Sequence, residues 1–307
     1  MGIFLSGGID SSTLVALAKE NYNKNFSTFS IGFNEKTFDE SKYAQFISKF
    51  FGIKHYNYLF TINDFINNFQ EVINSLDEPL ADLSLFPTFI LAKFSRKYIK
   101  VGLSGEGADE LFLGYPTYRA HKYMNVLSKF PNNFKSSFQY LINLLPTSFK
   151  YFSLDFKLKQ FCRGINVSDS ALRHILWMGA FSDREKRVLF SDRFRKRELK
   201  DIDNIDSFVK GFIENLGTEE FYKSIQYLDI FTYLSEDLLV KSDRVSMLNS
   251  LETRLPYLDH KLVEFIWSLN YNFIYQKRLL KDAMKGVVPN KILSRQKKGF
   301  PMPFSQW

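Results

Sequence analysis

The sequence is poor in cysteine and has neither a long hydrophobic run nor a signal-like beginning. Its 307 residues include one cysteine, Cys162, which excludes a disulfide framework and a cysteine-rich zinc site and fits a reducing compartment. No stretch approaches the ~20 apolar residues that a membrane span needs. The chain enters an apolar run at Gly2 without the pattern of a signal peptide. These absences predict a cytoplasmic protein that does not cross a membrane.

Acidic residues are fewer than basic ones, and the formal net charge is +8. The densest basic run is Arg193–Arg197, and Asp192 and Glu198 flank it. Basic runs can mark nucleic-acid binding, but the flanking acids favour a solvated helix face. A cationic surplus also suits anionic small ligands such as ATP and pyrophosphate. Charge alone therefore does not predict a nucleic-acid partner.

The most informative stretch follows the first apolar run, which is long enough for a buried strand. Residues 5–12 read L-S-G-G-I-D-S-S and lead into helical spacing of apolar residues. A strand, a glycine-rich turn and a helix N-terminus together form an anion site, because glycine permits close approach and the first-turn amides lack intrahelical acceptors. Ser11 can add a hydroxyl donor to phosphate. Asp10 would repel phosphate unless a divalent cation lay between them, so it is a candidate Mg²⁺ ligand.

Several common phosphate and hydrolase motifs are absent. No lysine follows the glycines as in a Walker loop, and no G-x-G-x-x-G is present. Neither Ser6 nor Ser104 has the flanking glycines of a hydrolase nucleophile elbow. An ordinary Gly-Gly turn before a capped helix is the plain alternative, which Asp10 and the tandem serines disfavour. The remaining S-G-G-x-D-S pattern resembles the pyrophosphate loop of the N-type ATP pyrophosphatases.

The first third of the chain alternates strand and helix patterns. The predicted strands are 2–5, 26–33, 54–60 and 99–103, and the helices between the later ones are 39–51, 62–76 and 87–98. This order predicts an α/β fold, a parallel sheet with helices on both faces that binds ligands at the carboxyl ends of its strands. The loops Ser6–Ser11, Ile31–Gly32 and Ser104–Glu110 should therefore converge. Residues 118 to about 249 show helical periodicity, so we expect a core at 1–117 and a mainly helical part at 118–307.

Two later clusters carry candidate chemistry. In the loop after the fourth predicted strand, Glu106 could orient an amine or take its proton, and Asp109 could join Asp10 at a metal. Glu110 is better explained as an acid that favours the following helix. Residues 241–259 alternate charged and apolar positions, which predicts buried ion pairs that shape a pocket. Lys277 is a candidate for neutralising charge on the α-phosphate.

Taken together, these segments resemble the synthetase domain of the asparagine synthetase B family, and the resemblance covers nearly the whole chain. The similar motifs, in order, are S-G-G-I-D-S-S, D-E-P-L-A-D (77–82), S-G-E-G-A-D-E-L-F-L-G-Y (104–115), D-R-V-S-M-L-N-S-L-E-T-R-L-P-Y-L-D (243–259), K-R-L-L-K (277–281) and R-Q-K-K-G-F-P (295–301). The resemblance implies an ATP pyrophosphatase fold and an ATP-dependent amide ligase. Aspartate would be activated as β-aspartyl-AMP with release of pyrophosphate, and ammonia would then give asparagine and AMP.

The resemblance also implies roles for matching positions. Glu106 would serve intermediate formation or ammonia attack, Lys277 the transition state, and Asp10 and Asp109 the Mg²⁺. The nucleotide and its pyrophosphate would be held by Leu5, Ser6, Gly7, Gly8, Asp10, Ser11, Ile31, Ser104 and Gly105.

The chain departs from the family pattern in three respects. The family carries an N-terminal glutaminase domain whose nucleophilic cysteine follows the initiator Met, whereas Gly2 occupies that position here. The family's synthetase domain also has a helix before the first strand and further helices after the last motif, so the sequence predicts a fragment truncated at both ends. A separate glutaminase domain or chain could supply ammonia. Leu113 stands where the family often has glycine. A homodimer is compatible with the sequence.

Three other functions stay open at the level of sequence. The chain could amidate another carboxylate, on a glycan or peptide precursor. It could be a tRNA-modifying adenylating enzyme, although it lacks the cysteines that sulfur transfer requires. It could also be an inactive ATP-binding fragment.

Overall fold

A computed structural model describes residues 1–179, 181–198, 205–214, 216–218, 220–300 and 302–307. The strands are β1 Gly2–Phe4, β2 Ser27–Phe33, β3 Lys54–Phe60, β4 Val101–Leu103 and β5 Glu252–Arg254. The helices are α1 Ile9–Asn21, α2 Ser41–Phe50, α3 Ile62–Asn74, α4 Leu85–Ser95, α5 Ala108–Leu111, α6 Pro116–Leu127, α7 Asn132–Asn143, α8 Leu154–Arg163, α9 Ser170–Met178, α10 Asp183–Leu189, α11 Asp192–Glu198, α12 Ile205–Glu214, α13 Phe221–Asp229, a π-helix Ile230–Leu239, α14 Val240–Leu248, α15 His260–Ser268, α16 Tyr271–Ile274, α17 Arg278–Ala283 and α18 Asn290–Leu293. Short 3₁₀ turns cover Pro256–Leu258, Tyr275–Lys277 and Phe304–Gln306.

The described residues divide into two compact units. The first unit is Met1–Gly114 with Ile230–Trp307, and the second is Tyr115–Asp229. The first boundary lies close to the expected division at residue 117. The segment from Ile230 onward, which we expected to continue the helical part, groups instead with the sheet because it supplies β5 and the turn that carries Lys277.

The first unit is built on a parallel sheet with the strand order β3-β2-β1-β4-β5. Parallel strands need long crossover connections, and α1, α2 and the α3–α4 segment provide them between the first four strands. The order reverses direction at β1, which lies between β2 and β4, and such a reversal opens a ligand crevice at the strand ends. The predicted α/β class is therefore confirmed.

Aromatic side chains pack between the sheet and α4. The Phe29 ring stacks on Tyr56 at 5.3 Å between centroids and meets Phe94 edge-on at 6.3 Å. Gly2 leaves room for this cluster, because a Cβ there would lie 2.6 Å from the Phe29 ring. Phe29 and Phe94 thus contribute to core packing at this position.

The strand β5 is not predicted by the sequence pattern. Its three residues, Glu252–Arg254, pair in parallel with β4 although two of them are exposed and charged. An edge strand of this length has no hydrophobic alternation to reveal it, so the charged pattern suggested ion pairs alone.

The second unit is helical throughout its described residues, as predicted. Met124, Ile165 and Trp177 form one buried cluster, and Ala171, Val209 and Leu228 form another. Cys162 is a buried free thiol, and burial raises its pKa to about 11. Most side chains of the basic run Arg193–Arg197 are exposed on α11, as expected for a solvated helix face.

A buried polar chain joins the first and last helices of the second unit. Tyr118 donates a hydrogen bond to Asp229 at 2.5 Å, and His174 Nε2 lies 2.9 Å from the same carboxylate. His121 Nε2 lies 3.1 Å from His174 Nδ1. Because Tyr118 lies on α6 and Asp229 ends α13, these bonds tie the two ends of the unit together.

Candidate active site

The loop after β1 is shaped by hydrogen bonds among its own residues. The Ser11 hydroxyl lies 3.2 Å from both the backbone nitrogen and the hydroxyl of Ser6, and the Gly8 amide donates to the Ser6 hydroxyl at 3.2 Å. Leu5 is buried, and its amide donates to the Phe29 carbonyl at 2.8 Å. The loop therefore leaves the sheet in a fixed direction before α1 begins at Ile9.

Gly7 is required by both backbone conformation and space. Its φ of +71° lies in the left-handed region, and a Cβ would lie 2.5 Å from the backbone carbon of Tyr43. Arg295 covers the same loop: its Nη1 donates to the Gly7 carbonyl at 2.9 Å, and its guanidinium lies 3.9 Å from the Tyr43 ring centroid. Arg295 also pairs with Glu40 at the start of α2. The sequence analysis did not assign Arg295 to this loop.

The loops after β1 and β4 meet, as the sheet order predicts. A Cβ on Gly105 would lie 3.2 Å from Asp10 Cβ and 3.3 Å from the Ser11 nitrogen. The Ser104 amide donates to the Arg254 carbonyl of β5 at 2.9 Å, which fixes the start of the second loop. Tyr257 fixes the first loop as well, since its hydroxyl donates to the Asp10 carbonyl at 3.0 Å.

Ile31 does not lie in a loop. We expected Ile31–Gly32 to take part in the loop after the second strand, although the predicted strand 26–33 already contained them. In the structure both residues lie within β2, and Ile31 is buried opposite Tyr58 of β3. The strand bounds were thus predicted closely, and the loop assignment of these two residues was wrong because β2 pairs with β3 as far as Phe33. Gly32 nevertheless marks a close approach, because a Cβ there would lie 3.2 Å from Asp39 Oδ1.

Two carboxylates and two ammonium groups form the centre of the site, which we call the charge cluster: Asp10, Asp109, Lys277 and Lys297. Lys277 Nζ lies 2.6 Å from Asp10 Oδ1 and 2.7 Å from Asp109 Oδ1. Lys297 pairs with Asp109 and lies 3.9 Å from Asp10 Oδ2. Asp10, Asp109 and Lys277 are buried. Three of these residues were predicted, and Lys297 was missed although its motif had been noted.

Two groups of the charge cluster, Asp109 and Lys297, are stabilised in their ionised forms by their neighbours. Burial disfavours the carboxylate of Asp109, but the neighbouring Lys277 and Lys297 outweigh burial and lower the Asp109 pKa to about 2. For Lys297 the penalty of burial is likewise outweighed, by Asp109 and Asp10, and its pKa is raised. The arrangement therefore places two lysines against two aspartates, a balanced set of charges, at the ends of β1 and β4.

Strained backbone presents Lys277 to the cluster. Gln276 and Lys277 both have left-handed φ values, of 55° and 59°. Their amides donate to the Leu113 carbonyl at 3.2 Å and to the Phe112 carbonyl at 2.9 Å, respectively. These bonds from the loop after α5 hold the turn in a conformation that the residues would otherwise rarely adopt.

The same loop contains Leu113, the departure noted in the sequence. Leu113 has a φ of 50°, a conformation that glycine adopts without cost, and its side chain is fully buried. Gly114 follows, and a Cβ there would collide with Lys277 Cε and Asp109 Oδ1. Leu113 therefore keeps the backbone shape, with its packing offsetting the strain.

Glu106 lies beside a second group of polar residues in the first unit. Ser242 Oγ lies 2.6 Å from both carboxylate oxygens of Glu106. Burial raises the Glu106 pKa, although Lys241 opposes the shift. Lys241 Nζ lies 2.6 Å from Asp82 and 2.8 Å from Ser84 Oγ. This network agrees with the expectation that residues 241–259 supply buried ion pairs, and it links them to the 77–82 motif.

A third carboxylate belongs to the same neighbourhood. Asp237, on the π-helix, has one buried oxygen without a hydrogen-bond partner in the described part of the chain. Burial, and secondarily the charge of Asp82, raise its pKa to about 6. Sequence reasoning did not single out Asp237, because only the fold brings it near Asp82.

The donor set of the charge cluster fits a magnesium ion only in part. Asp10 and Asp109 are hard oxygen donors of the kind that Mg²⁺ takes together with phosphate oxygens. Among the described residues no group of three or more histidine, cysteine or acidic side chains could hold a metal by itself. A metal here would thus depend on ligands from the substrate.

No helix in the described ranges is long and apolar enough to cross a membrane.

The parallel sheet, the glycine-bearing loop at a helix N-terminus and the charge cluster at the strand ends are typical of an α/β protein that binds nucleotide phosphates. The family model described as "Asparagine synthase" matches residues 1–307, and the chain belongs to this family.

Relatives of known name match the whole chain and are longer than it. Asparagine synthetase [glutamine-hydrolyzing] 1 of Bacillus subtilis is 31% identical over 311 residues, which are 100% of this chain and 47% of the relative. A putative asparagine synthetase [glutamine-hydrolyzing] of Mycobacterium tuberculosis is 32% identical over 319 residues, covering 100% and 45%. Amidase chyE of Penicillium rubens is 26% identical over 345 residues, covering 100% and 50%. The chain thus spans about half the length of these relatives.

Proposed function

We propose that the protein is an ATP-dependent amide ligase that activates the side-chain carboxylate of aspartate as β-aspartyl-AMP and transfers it to ammonia. The charge cluster carries this proposal, because paired lysines beside a phosphate-binding loop stabilise charge that develops on phosphorus. Family membership supports the reaction class. A carboxylate is a poor acyl donor until its oxygen becomes part of a good leaving group, which adenylation supplies.

Nucleotide binding would fall mainly to backbone and hydroxyl groups of the two loops. The first-turn amides of α1 and the hydroxyls of Ser6 and Ser11 can donate to phosphate oxygens. The contact between Gly105 and Asp10 brings the second loop against the same end of α1. The proposed nucleotide contacts are Leu5, Ser6, Gly7, Gly8, Ser11, Ile31, Ser104 and Gly105.

Phosphate oxygens would compete with Asp10 and Asp109 for the two ammonium groups. Lys277 and Lys297 could then neutralise the α-phosphate, while the carboxylates would hold Mg²⁺ together with phosphate oxygens. The metal would supply charge neutralisation of the triphosphate. The left-handed turn at Lys277 supports this role, since it fixes the ammonium before substrate arrives.

Adenylation would proceed by direct displacement at phosphorus. A carboxylate oxygen of aspartate forms a bond to the α-phosphorus, and the bond from that phosphorus to the bridging oxygen breaks with its electron pair leaving on pyrophosphate. Lys277 and Lys297 would stabilise the additional negative charge at the α-phosphate.

Amide formation would follow at the activated carbonyl. Ammonia attacks the carbonyl carbon, the carbon–oxygen bond to AMP breaks, and the nitrogen gives up a proton. Glu106 is the proposed acceptor, because its carboxylate lies in the site and burial raises its pKa, which makes it a better proton acceptor than an exposed carboxylate. Ser242 would orient its carboxylate.

Nitrogen supply and the acceptor carboxylate are further parts of the proposal. The two bacterial relatives are named as glutamine-hydrolysing and are about twice as long, which supports a separate glutaminase domain or chain as the ammonia source. One relative is named an amidase, so a carboxylate other than that of aspartate is the second candidate substrate.

The test is to incubate the protein with MgATP, aspartate and ammonium and to measure AMP, pyrophosphate and asparagine. We expect all three in equal amounts, and at least about 100-fold less asparagine with Glu106→Gln. Glu264→Gln, an exposed change of the same type on α15, is the matched control. AMP formation that is indifferent to aspartate would point to the second candidate, and full activity of Glu106→Gln would refute the assignment.

A further inference from the structure

A pocket of about 650 Å³ opens in the first unit between α17 and α18. Its basic lining is Arg278, Lys281, Lys285 and Lys291, and Asp282 is its one acidic residue. None of the residues of the loops after β1 and β4 lines it. The pocket is therefore separate from the proposed nucleotide contacts, and its lining carries surplus positive charge.

The acidic residue offsets only part of that charge. Asp282 lies 2.6 Å from Lys285 Nζ and 3.8 Å from Arg278 Nε, so two cations share one carboxylate. Lys291 is held by aromatic rings, 5.0 Å from the centroid of Phe46 and 5.7 Å from that of Tyr43. An ammonium held over rings keeps its charge available to a ligand.

Lys281 connects the pocket to the charge cluster. It is half-buried, and no carboxylate pairs with it in the described part of the chain. Burial lowers its pKa, the charge of Lys277 lowers it further, and Asp10 acts in the opposite direction. A partly desolvated ammonium beside another cation gains from an anion that enters the pocket.

The neighbouring backbone places the pocket on the phosphate side of the site. Gln276 lines the pocket and directly precedes Lys277, so the same strained turn borders both the pocket and the charge cluster. Ser294 lines it as well and directly precedes Arg295, which binds the Gly7 carbonyl. The pocket therefore lies next to the segments that hold the pyrophosphate loop.

We propose that this pocket is a second anion site, which binds inorganic pyrophosphate after it leaves the charge cluster. The inference rests on the proposed function, because that reaction releases a small, highly charged anion beside Lys281. Four cations around one carboxylate match such an anion better than they match a neutral or cationic ligand.

The test titrates inorganic pyrophosphate into the full chain by calorimetry, with the nucleotide site saturated by Mg²⁺ and α,β-methylene-ATP. We expect one remaining pyrophosphate site per chain, weakened about tenfold or more by Lys281→Met. Lys281→Arg should retain binding, because it keeps the charge. Lys261→Met, an exposed change of the same type on α15, should leave the site unchanged.

The outcomes separate this inference from the proposed function. If the ATP analogue binds and no pyrophosphate follows, or if Lys281→Met binds it as tightly as the unaltered protein, the second site is refuted while the proposed function stands. If the analogue fails to bind, the proposed function is contradicted. A pyrophosphate site lost with Lys281→Met would still support the pocket in that case. Binding of a polyribonucleotide at Lys281 in place of pyrophosphate would also refute the inference.

Discussion

Single residues of the site show how closely the side chains are packed around the charge cluster. Gly114 is the clearest case, because any side chain there would occupy the space of Lys277 Cε and Asp109 Oδ1. Leu113 beside it has a left-handed φ, and the burial of its side chain offsets the cost of that strained backbone. The geometry of the cluster thus depends on residues that carry no charge.

Gly114→Ala should displace Lys277 from Asp109 and lower aspartate-dependent ATP–pyrophosphate exchange by at least about 100-fold, because misplaced charge loses its effect on the transition state. Gly211→Ala is the matched control, since nothing lies within 4 Å of a Cβ at that position of α12. Undiminished exchange in Gly114→Ala would contradict the assigned role of Lys277.

Asp237 should make the protein less stable as the pH rises. The pKa of Asp237 is about 6 in the folded protein, compared with 3.8 for an unperturbed aspartate. Between these pH values the folded state binds more protons than the unfolded state, so stability falls as the pH rises through that window. Asp237→Asn removes the effect, and at pH 8 it should raise the free energy of unfolding by on the order of 1 kcal/mol, allowing for partial exposure.

Thermal denaturation at pH 3.5 and pH 8 measures this difference, and Glu236→Gln, an exposed neighbouring change, controls for the lost charge. An Asp237→Asn effect of equal size at both pH values would show that the carboxylate is not destabilised by burial.

At the scale of elements, strand order placed the residues that directly follow the strands, whereas Lys277 was assigned from its basic segment and the family resemblance. The loop after β1 and the residues Glu106 and Asp109 follow apolar strands directly, so strand order alone placed them at one edge. Lys297 reaches Asp109 from far along the chain, and its basic segment offered no signal of which lysine would do so. The pairing of Lys241 with Asp82 was hidden for the same reason.

The C-terminal segment should act on nucleotide binding through Arg295. Arg295→Met removes the bond to the Gly7 carbonyl and the contact with Tyr43, so the loop after β1 loses its cover. We expect the KM for ATP to rise about tenfold with a smaller change in kcat. Arg119→Met, an exposed change on α6, is the control. A fall in kcat at constant KM would assign Arg295 to the chemical step.

At the scale of the whole molecule, the second unit contains a buried polar chain that should add to the stability of the fold. Tyr118→Phe leaves Asp229 with one hydrogen-bond partner fewer and should lower the free energy of unfolding by about 1–2 kcal/mol. Tyr123→Phe, on an exposed ring of the same helix, should change it little. Urea denaturation measures both, and equal effects would show that the Tyr118 bond adds nothing to stability.

The central claim is that a carboxylate oxygen attacks the α-phosphorus of ATP at the charge cluster. The most direct measurement uses aspartate labelled with oxygen-18 in its side-chain carboxylate, together with MgATP and ammonium, and analyses the products by mass spectrometry. The account predicts one labelled oxygen in AMP, none in pyrophosphate, and loss of labelled AMP in Lys297→Met. Label in inorganic phosphate with release of ADP, or unlabelled AMP, would contradict it.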